Sequence, residues 1–184
     1  MAMQIFVEIR NDNYLYIDRT PYLRTLEQMK ITRALFIRPR RFGKSLWLNA
    51  MTQYYDINKK DQFEQLFGDL DIGNNPTLDH NQYVVMNWNF SLMSSRGNID
   101  DLDTELNETL NSVIEEHIVY YSNIIQDQVR FYTKAINTFS SFLSAVRKSS
   151  LKSYLLIDEY DNFANEVMMS DTDVYNKLVK KMAL

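Results

Sequence analysis

The sequence contains no cysteine and only two histidines among its 184 residues. A disulfide framework and a thiolate metal site are therefore excluded. His80 and His117 lie far apart with no third ligand in an evident pattern, and they read as ordinary surface or boundary residues. Long apolar runs are missing as well. The longest, such as Tyr154 to Ile157, have strand length, well short of the roughly 20 residues that a membrane-crossing helix needs. No charged-then-apolar leader opens the chain, so the expectation is a soluble cytoplasmic protein. Glycine and proline are sparse, four and three residues, and all of them fall at or before Gly97. The first half is thereby punctuated by turns, and the second is expected to be mostly helical.

The apolar content, 45%, and the aromatic content, 13%, are sufficient for one domain with a sizeable core. A formal charge of −4 conceals an asymmetry. Residues 1–60 hold 11 basic against 5 acidic side chains, and the remainder holds 9 against 19. The densest basic stretch is Arg33, Arg38, Arg40, Arg41 and Lys44. That charge suits a polyphosphate ligand and a nucleic-acid backbone equally, because both attract it by the same Coulombic term.

Periodicity gives an order of elements. Residues 5–9 and 14–17 flank Asn11-Asp12-Asn13 and predict a hairpin. Thr20 before Pro21 predicts a helix N-cap, and the preface of residues 1–32 reads as β-β-α. Within residues 33–98, Ala34-Leu35-Phe36-Ile37 predicts a short buried strand, Ser45 to Tyr55 a buried helix and Tyr83 to Trp88 a second strand. Residues 99–150 predict a helical pair broken near Ser122-Asn123. One stripe runs through Leu102, Leu106, Leu110, Val113 and Ile114, the other through Ile125, Val129, Tyr132, Ile136, Phe139, Leu143 and Val146. The second stripe has heptad character, which suits a partner seam, although a core-facing helix explains it more simply. Residues 151–184 predict an apolar strand, Tyr154 to Ile157, and a C-terminal helix through Val174, Leu178, Val179 and Met182. Alternating strands and helices predict an α/β fold with a mainly parallel sheet.

Between the first predicted strand and the following helix lies Arg38-Pro39-Arg40-Arg41-Phe42-Gly43-Lys44-Ser45. A phosphate-binding loop requires a glycine where backbone N–H groups curl round the phosphates, a lysine for the β and γ oxygens, and a hydroxyl for Mg²⁺. Gly43, Lys44 and Ser45 supply that ending, while the usual first glycine is replaced by Arg38. The second half of the signature is Tyr154-Leu155-Leu156-Ile157-Asp158-Glu159. An apolar strand that ends in two acids suits an ATPase, with Asp158 holding magnesium-bound water and Glu159 polarising the attacking water. Either half alone is weak, since Gly-Lys-Ser occurs by chance and acids are common at strand ends. Together they point to one site.

The run Phe36 to Leu46, with Ile17-Asp18-Arg19-Thr20 upstream and Leu156 to Phe163 downstream, resembles the AAA-ATPase-like family, whose members are uncharacterised and mostly bacterial. The resemblance spans nearly the whole chain. In that family Arg-Pro-Arg-Arg-Phe-Gly-Lys-Ser/Thr is the ordinary loop, so Arg38 in place of glycine is a family trait. It implies an AAA-type P-loop NTPase fold over residues 1–184, with Walker A and Walker B elements, ATP and Mg²⁺ as cofactors, and ATP hydrolysis. The implied nucleotide site is Arg38, Pro39, Arg40, Arg41, Phe42, Gly43, Lys44, Ser45 and Leu46, with Ser45 and Asp158 on the metal and Lys44 and Glu159 catalytic.

The class of P-loop fold that pairs a Walker acid with a neighbouring glutamate has strand order 5-1-4-3-2. The chain then reads as truncated after its third core strand, expected to be a fragment or part of an assembly that another chain or a second copy completes. A nucleotide-binding module without hydrolysis is therefore the alternative to an ATPase. A small-molecule kinase would add an arginine-rich lid, which does not occur after Ser91. Arg40 and Arg41 suit phosphate contact, nucleic-acid contact or a solvated loop rim. Asp18 and Arg19 suit either an ordinary ion pair or a docking surface between preface and core.

Overall fold

A computed structural model describes residues 5–39, 41–92, 99–125 and 127–159. These residues divide into two compact units that meet in sequence at Val85 and Met86.

The first unit is built on helices. Helix α1 spans Ile5–Asn11, α2 Pro21–Gln28, α3 Lys44–Tyr55, α4 Phe63–Phe67 and α5 Asp71–Asn74, with a 3₁₀ segment at Ile57–Gln62 between α3 and α4. Helix α3 is its centre. From Trp47 onward it buries Asn49 through Tyr55 without a break, as expected of a helix enclosed on several sides. Aromatic rings close the core around it. Phe6 lies 5.1 Å from Phe67 and 5.2 Å from Tyr16, and Tyr54 meets Phe67 edge-on at 5.6 Å. Removing one such ring from water stabilises by about 1.5–3 kcal/mol.

The predicted N-terminal hairpin is absent: residues 5–11 are helical and residues 14–19 have no regular structure. The reason is where hydrogen bonds can be made. Phe6 donates its backbone N–H to the Asn49 side chain at 2.8 Å, and Arg10, one turn later on the same face, donates to the Leu66 carbonyl at 2.9 Å. A short helix satisfies its own backbone and offers both groups to α3 and α4, whereas a hairpin would leave an edge unpaired. Thr20 does precede a helix that begins at Pro21, yet its hydroxyl does not cap that helix. Instead it accepts the Ile72 N–H at 3.2 Å and donates to Asp18 at 2.7 Å.

The predicted strand at residues 34–37 is also absent. That stretch is irregular, and Leu35, Phe36 and Ile37 are 66%, 43% and 72% exposed. A strand exists only through a ladder, and among the described residues none pairs with this one.

Strand β1, Tyr83–Asn89, begins in the first unit, where Tyr83 forms a parallel bridge with Asp56 beyond the end of α3. In the second unit it pairs with β2, Lys152–Asp158, in a sheet that is parallel and two-stranded among the described residues. Helices α6, Ile99–Tyr120, and α7, Ala135–Lys148, pack on each other, and α7 also packs on β2. The chain is therefore a mixed α/β protein with a small parallel sheet. The helical pair forms as predicted, but its break is longer, so Ile125, Val129 and Tyr132 fall in the connection. The connection is fixed by side chains of α6: Asn111 donates to the Tyr132 carbonyl at 2.9 Å, and Asn107 accepts the first N–H of α7 at 2.8 Å. The buried face of α7 is Ala135, Thr138, Phe142, Ala145 and Val146; all but Val146 lie one position before the predicted stripe, and Ile136 is 65% exposed. The C-terminal helix predicted through Val174 to Met182 lies outside the described residues.

Candidate functional site: a glycine-led loop and an acidic strand end

The phosphate-loop candidates belong to the first unit. Arg38, Pro39, Arg41 and Phe42 are exposed, Gly43, Lys44, Ser45 and Leu46 are half-buried, and Arg40 lies outside the described residues. Arg38 carries its guanidinium 5.7 Å from the Phe36 ring centroid, a cation–π distance.

Two left-handed residues curl the chain ahead of α3, Arg41 at φ +67° and Gly43 at φ +77°. Gly43 is the N-cap, and its carbonyl accepts the Trp47 N–H at 2.9 Å, closing the first turn. Glycine is required there on two counts. Its φ is costly for a residue with a Cβ, and a Cβ would stand 3.2 Å from Arg19 Nη1. Gly43 offers no capping side chain, so among the described residues the first N–H groups of α3 have no side-chain acceptor at the cap. An anion is the natural partner for such an end. Lys44 and Ser45 occupy its first two positions, and among the described residues no hydrogen bond or ion pair engages Lys44 Nζ.

Arg19 belongs to this locality, which the sequence reading did not assign. Its Nη1 donates to the Phe42 carbonyl at 3.1 Å. Of the two readings for Asp18 and Arg19, docking is the one observed. Asp18 accepts the Thr20 N–H and the Asp71 N–H, at 2.8 and 2.9 Å, tying the preface to α5. The sequence signal for Arg19 is its place in Ile17-Asp18-Arg19-Thr20, part of the family resemblance, which does not say that it meets the loop. Among the described residues no carboxylate pairs with Arg19, Arg38, Arg41 or Lys44, so their charge stands uncompensated.

The acids belong to the second unit. Asp158 ends β2 and Glu159 follows it at φ +52°, with both residues half-buried. Asp158 Oδ1 accepts the Glu159 N–H at 3.0 Å, a short local bond that turns the chain out of the strand. Only Leu156 of the strand's apolar run is buried, while Leu155 and Ile157 are 37% and 40% exposed.

The two histidines serve local structure. His80 Nδ1 lies 2.6 Å from the Thr77 carbonyl beside the Phe63 ring, and His117 Nε2 accepts the Asn87 N–H at 3.3 Å. Among the described residues no group of three metal-ligating side chains converges, and no described helix is long and apolar enough to cross a membrane. An open cleft along α7, lined by Asp127, Arg130, Tyr132, Ser141 and Lys148, contains none of the predicted site residues.

No curated protein and no solved structure matches the chain. The family model described as "Predicted AAA-ATPase" matches residues 1–183, so the chain belongs to the AAA-ATPase-like family.

Proposed function

We propose that the protein binds ATP with Mg²⁺ at the loop 38–46 and hydrolyses it. The observation that supports this most is the local build of residues 41–45: a left-handed Gly43 opening a 12-residue helix that, among the described residues, has no side-chain cap, followed at once by a lysine that pairs with no described residue and by a serine. A phosphate would satisfy the free N–H groups of that end and neutralise Lys44. The residues present therefore fit a nucleotide triphosphate. Within the loop, Lys44 would hold the β and γ oxygens and Ser45 the metal; the family resemblance assigns Asp158 to the metal as well and Glu159 to polarising the attacking water. Magnesium, when bound, supplies charge neutralisation on the phosphates. Arg38 and Arg41, five and two residues before Gly43, add cationic charge for phosphate oxygens. A soluble AAA-type ATPase of the cytoplasm is the setting this reading assumes.

The test combines stability and turnover. ATP with Mg²⁺ should raise the melting temperature, because ligand at a hundred times its Kd stabilises by about 2.7 kcal/mol. Lys44→Ala should abolish that shift. Glu159→Gln should keep it while phosphate release stops. A protein that no nucleotide stabilises would sink the reading. Stabilisation without phosphate release, unchanged in Glu159→Gln, would convert it to a binding module without hydrolysis.

A further inference from the structure

We propose that Arg19 is a positioning residue for the phosphate loop: by holding the Phe42 carbonyl it fixes the direction in which Gly43 presents its N–H to phosphate. The proposal rests on the nucleotide-binding reading above and adds a residue outside the Arg38–Leu46 stretch.

The geometry begins with how Arg19 is itself held. Its neighbours are anchored on both sides. Tyr16, three residues earlier, packs edge-on against the buried Phe6. Asp18 is bound to the backbone of Thr20 and of Asp71, and Thr20 is fully buried with its hydroxyl on the Ile72 N–H. The Arg19 carbonyl accepts the Tyr22 N–H at 3.1 Å as α2 begins. An exposed side chain thus leaves from a backbone with little freedom, and its fork reaches the loop 23 residues later in sequence.

What it grips is one half of a peptide plane. The Phe42 carbonyl and the Gly43 N–H belong to the same trans peptide, so they point in opposite directions. A guanidinium bound to the carbonyl sets the N–H facing away from it. Gly43 has no Cβ to hinder rotation of that peptide, and the residues on either side of Phe42 are both left-handed, so the backbone alone does not hold the plane. The closeness of the fit is visible in the 3.2 Å between Arg19 Nη1 and the place a Gly43 Cβ would occupy. A Cβ there would press on the fork unless Arg19 shifted by a few tenths of an ångström. An N–H fixed before the ligand arrives costs no reorganisation on binding, which is the advantage of preorganised donors at a phosphate.

The experiment follows the Gly43 amide by NMR while the affinity for Mg-ATP is measured in parallel. In the wild-type protein Mg-ATP should move the Gly43 amide proton downfield, and Lys44→Ala should remove binding. Arg19→Met keeps the apolar stem and loses the fork. It should weaken Mg-ATP about tenfold, the loss expected for one charged hydrogen bond, and diminish the Gly43 shift, with the ligand-free melting temperature nearly unchanged. Arg19→Gln should behave alike and serves if the methionine variant does not fold. Arg19→Lys, which retains a single donor, should restore part of both signals. Affinity within twofold of wild type in Arg19→Met or Arg19→Gln, or weakened affinity with the Gly43 shift intact, overturns the positioning role while leaving ATP binding standing. Absence of any Mg-ATP binding in the wild-type protein removes the underlying reading and this one together.

Discussion

Two short apolar runs, Ala34-Leu35-Phe36-Ile37 and Tyr83-Val84-Val85-Met86, look alike as sequence and differ completely as structure. The first is irregular with three of its large side chains exposed, while in the second Val84, Val85 and Met86 are 0%, 2% and 1% exposed in a paired strand. Intrinsic β preference favours the second run only modestly, with Tyr and two Val against Phe and Ile beside an unfavourable Ala. What separates them is a neighbour. Tyr83 bridges to Asp56, which the end of α3 brings alongside with help from Asn81, whose side chain reaches the Asp56 carbonyl at 2.7 Å. The strand is thus seeded from outside its own sequence.

Several substitutions would sharpen or break this contrast. The largest effect is expected at Met86: Met86→Ala should lower stability by about 2–5 kcal/mol in denaturant unfolding, by lost burial and the cavity left behind. A loss below 0.5 kcal/mol would mean that β1 is not part of a packed core.

Next is Gly43→Ala, which places a Cβ at φ +77° and 3.2 Å from the Arg19 fork. A loss of about 1–3 kcal/mol, read from thermal unfolding, is expected from the backbone strain. A variant as stable as wild type would show that the turn ahead of α3 relaxes freely, and would weaken the reading of a preset loop.

The third prediction concerns alkaline pH. Burial, followed by the nearby Asp18 charge, raises the Tyr16 hydroxyl from 10.0 to about 12 in the folded protein. Because the folded value lies above the unfolded one, the protonated phenol contributes stability that is complete below pH 10 and is lost as pH rises towards 12. Tyr16→Phe should therefore show a shallower decline than wild type over that window. Parallel declines would place Tyr16 in water. Burial likewise raises the Glu27 carboxyl above its ordinary value, against hydrogen bonds from Thr77 and Tyr55 that lower it. Its stabilising contribution is present at low pH and fades as pH rises through the raised value.

The smallest effect is expected in the exposed run. Ile37→Thr should change stability by no more than about 0.5 kcal/mol, since the side chain is 72% exposed and leaves no cavity. A change comparable to that of Met86→Ala would show that residues 34–37 are covered in solution.

Legibility in the sequence followed the range of the interactions involved. Helix α3 was readable because its signals are local: a glycine before it, apolar residues spaced along it, and an aromatic end at Tyr54-Tyr55. The pair α6 and α7 was readable for the same reason, although the buried face of α7 was set one residue away from the apparent stripe by Asn107 and Thr138, polar residues that satisfy backbone groups at its start. The N-terminal segment was misread because Ile-Phe-Val-Glu-Ile has β-branched character, while its fate depended on Asn49 and Leu66, 43 and 56 residues away. Within the candidate site, Gly43, Lys44 and Ser45 could be found from spacing alone. The contact of Arg19 with the loop could not, since among the described residues it is a side-chain hydrogen bond across 23 residues.

By itself, then, the sequence determined the punctuation of the chain, the helices with local apolar periodicity, the glycine-lysine-serine ending before α3, the acidic pair after an apolar strand, and membership of the AAA-ATPase-like family. Tertiary structure decided which apolar runs became strands, which way α7 turned, and which arginine met the loop ahead of α3. The division has a physical cause. Helical turns and tight loops close their hydrogen bonds within a few residues, so composition and spacing encode them directly. Ladders, buried faces and side-chain grips on distant carbonyls depend on partners that only the folded chain brings within 3 Å.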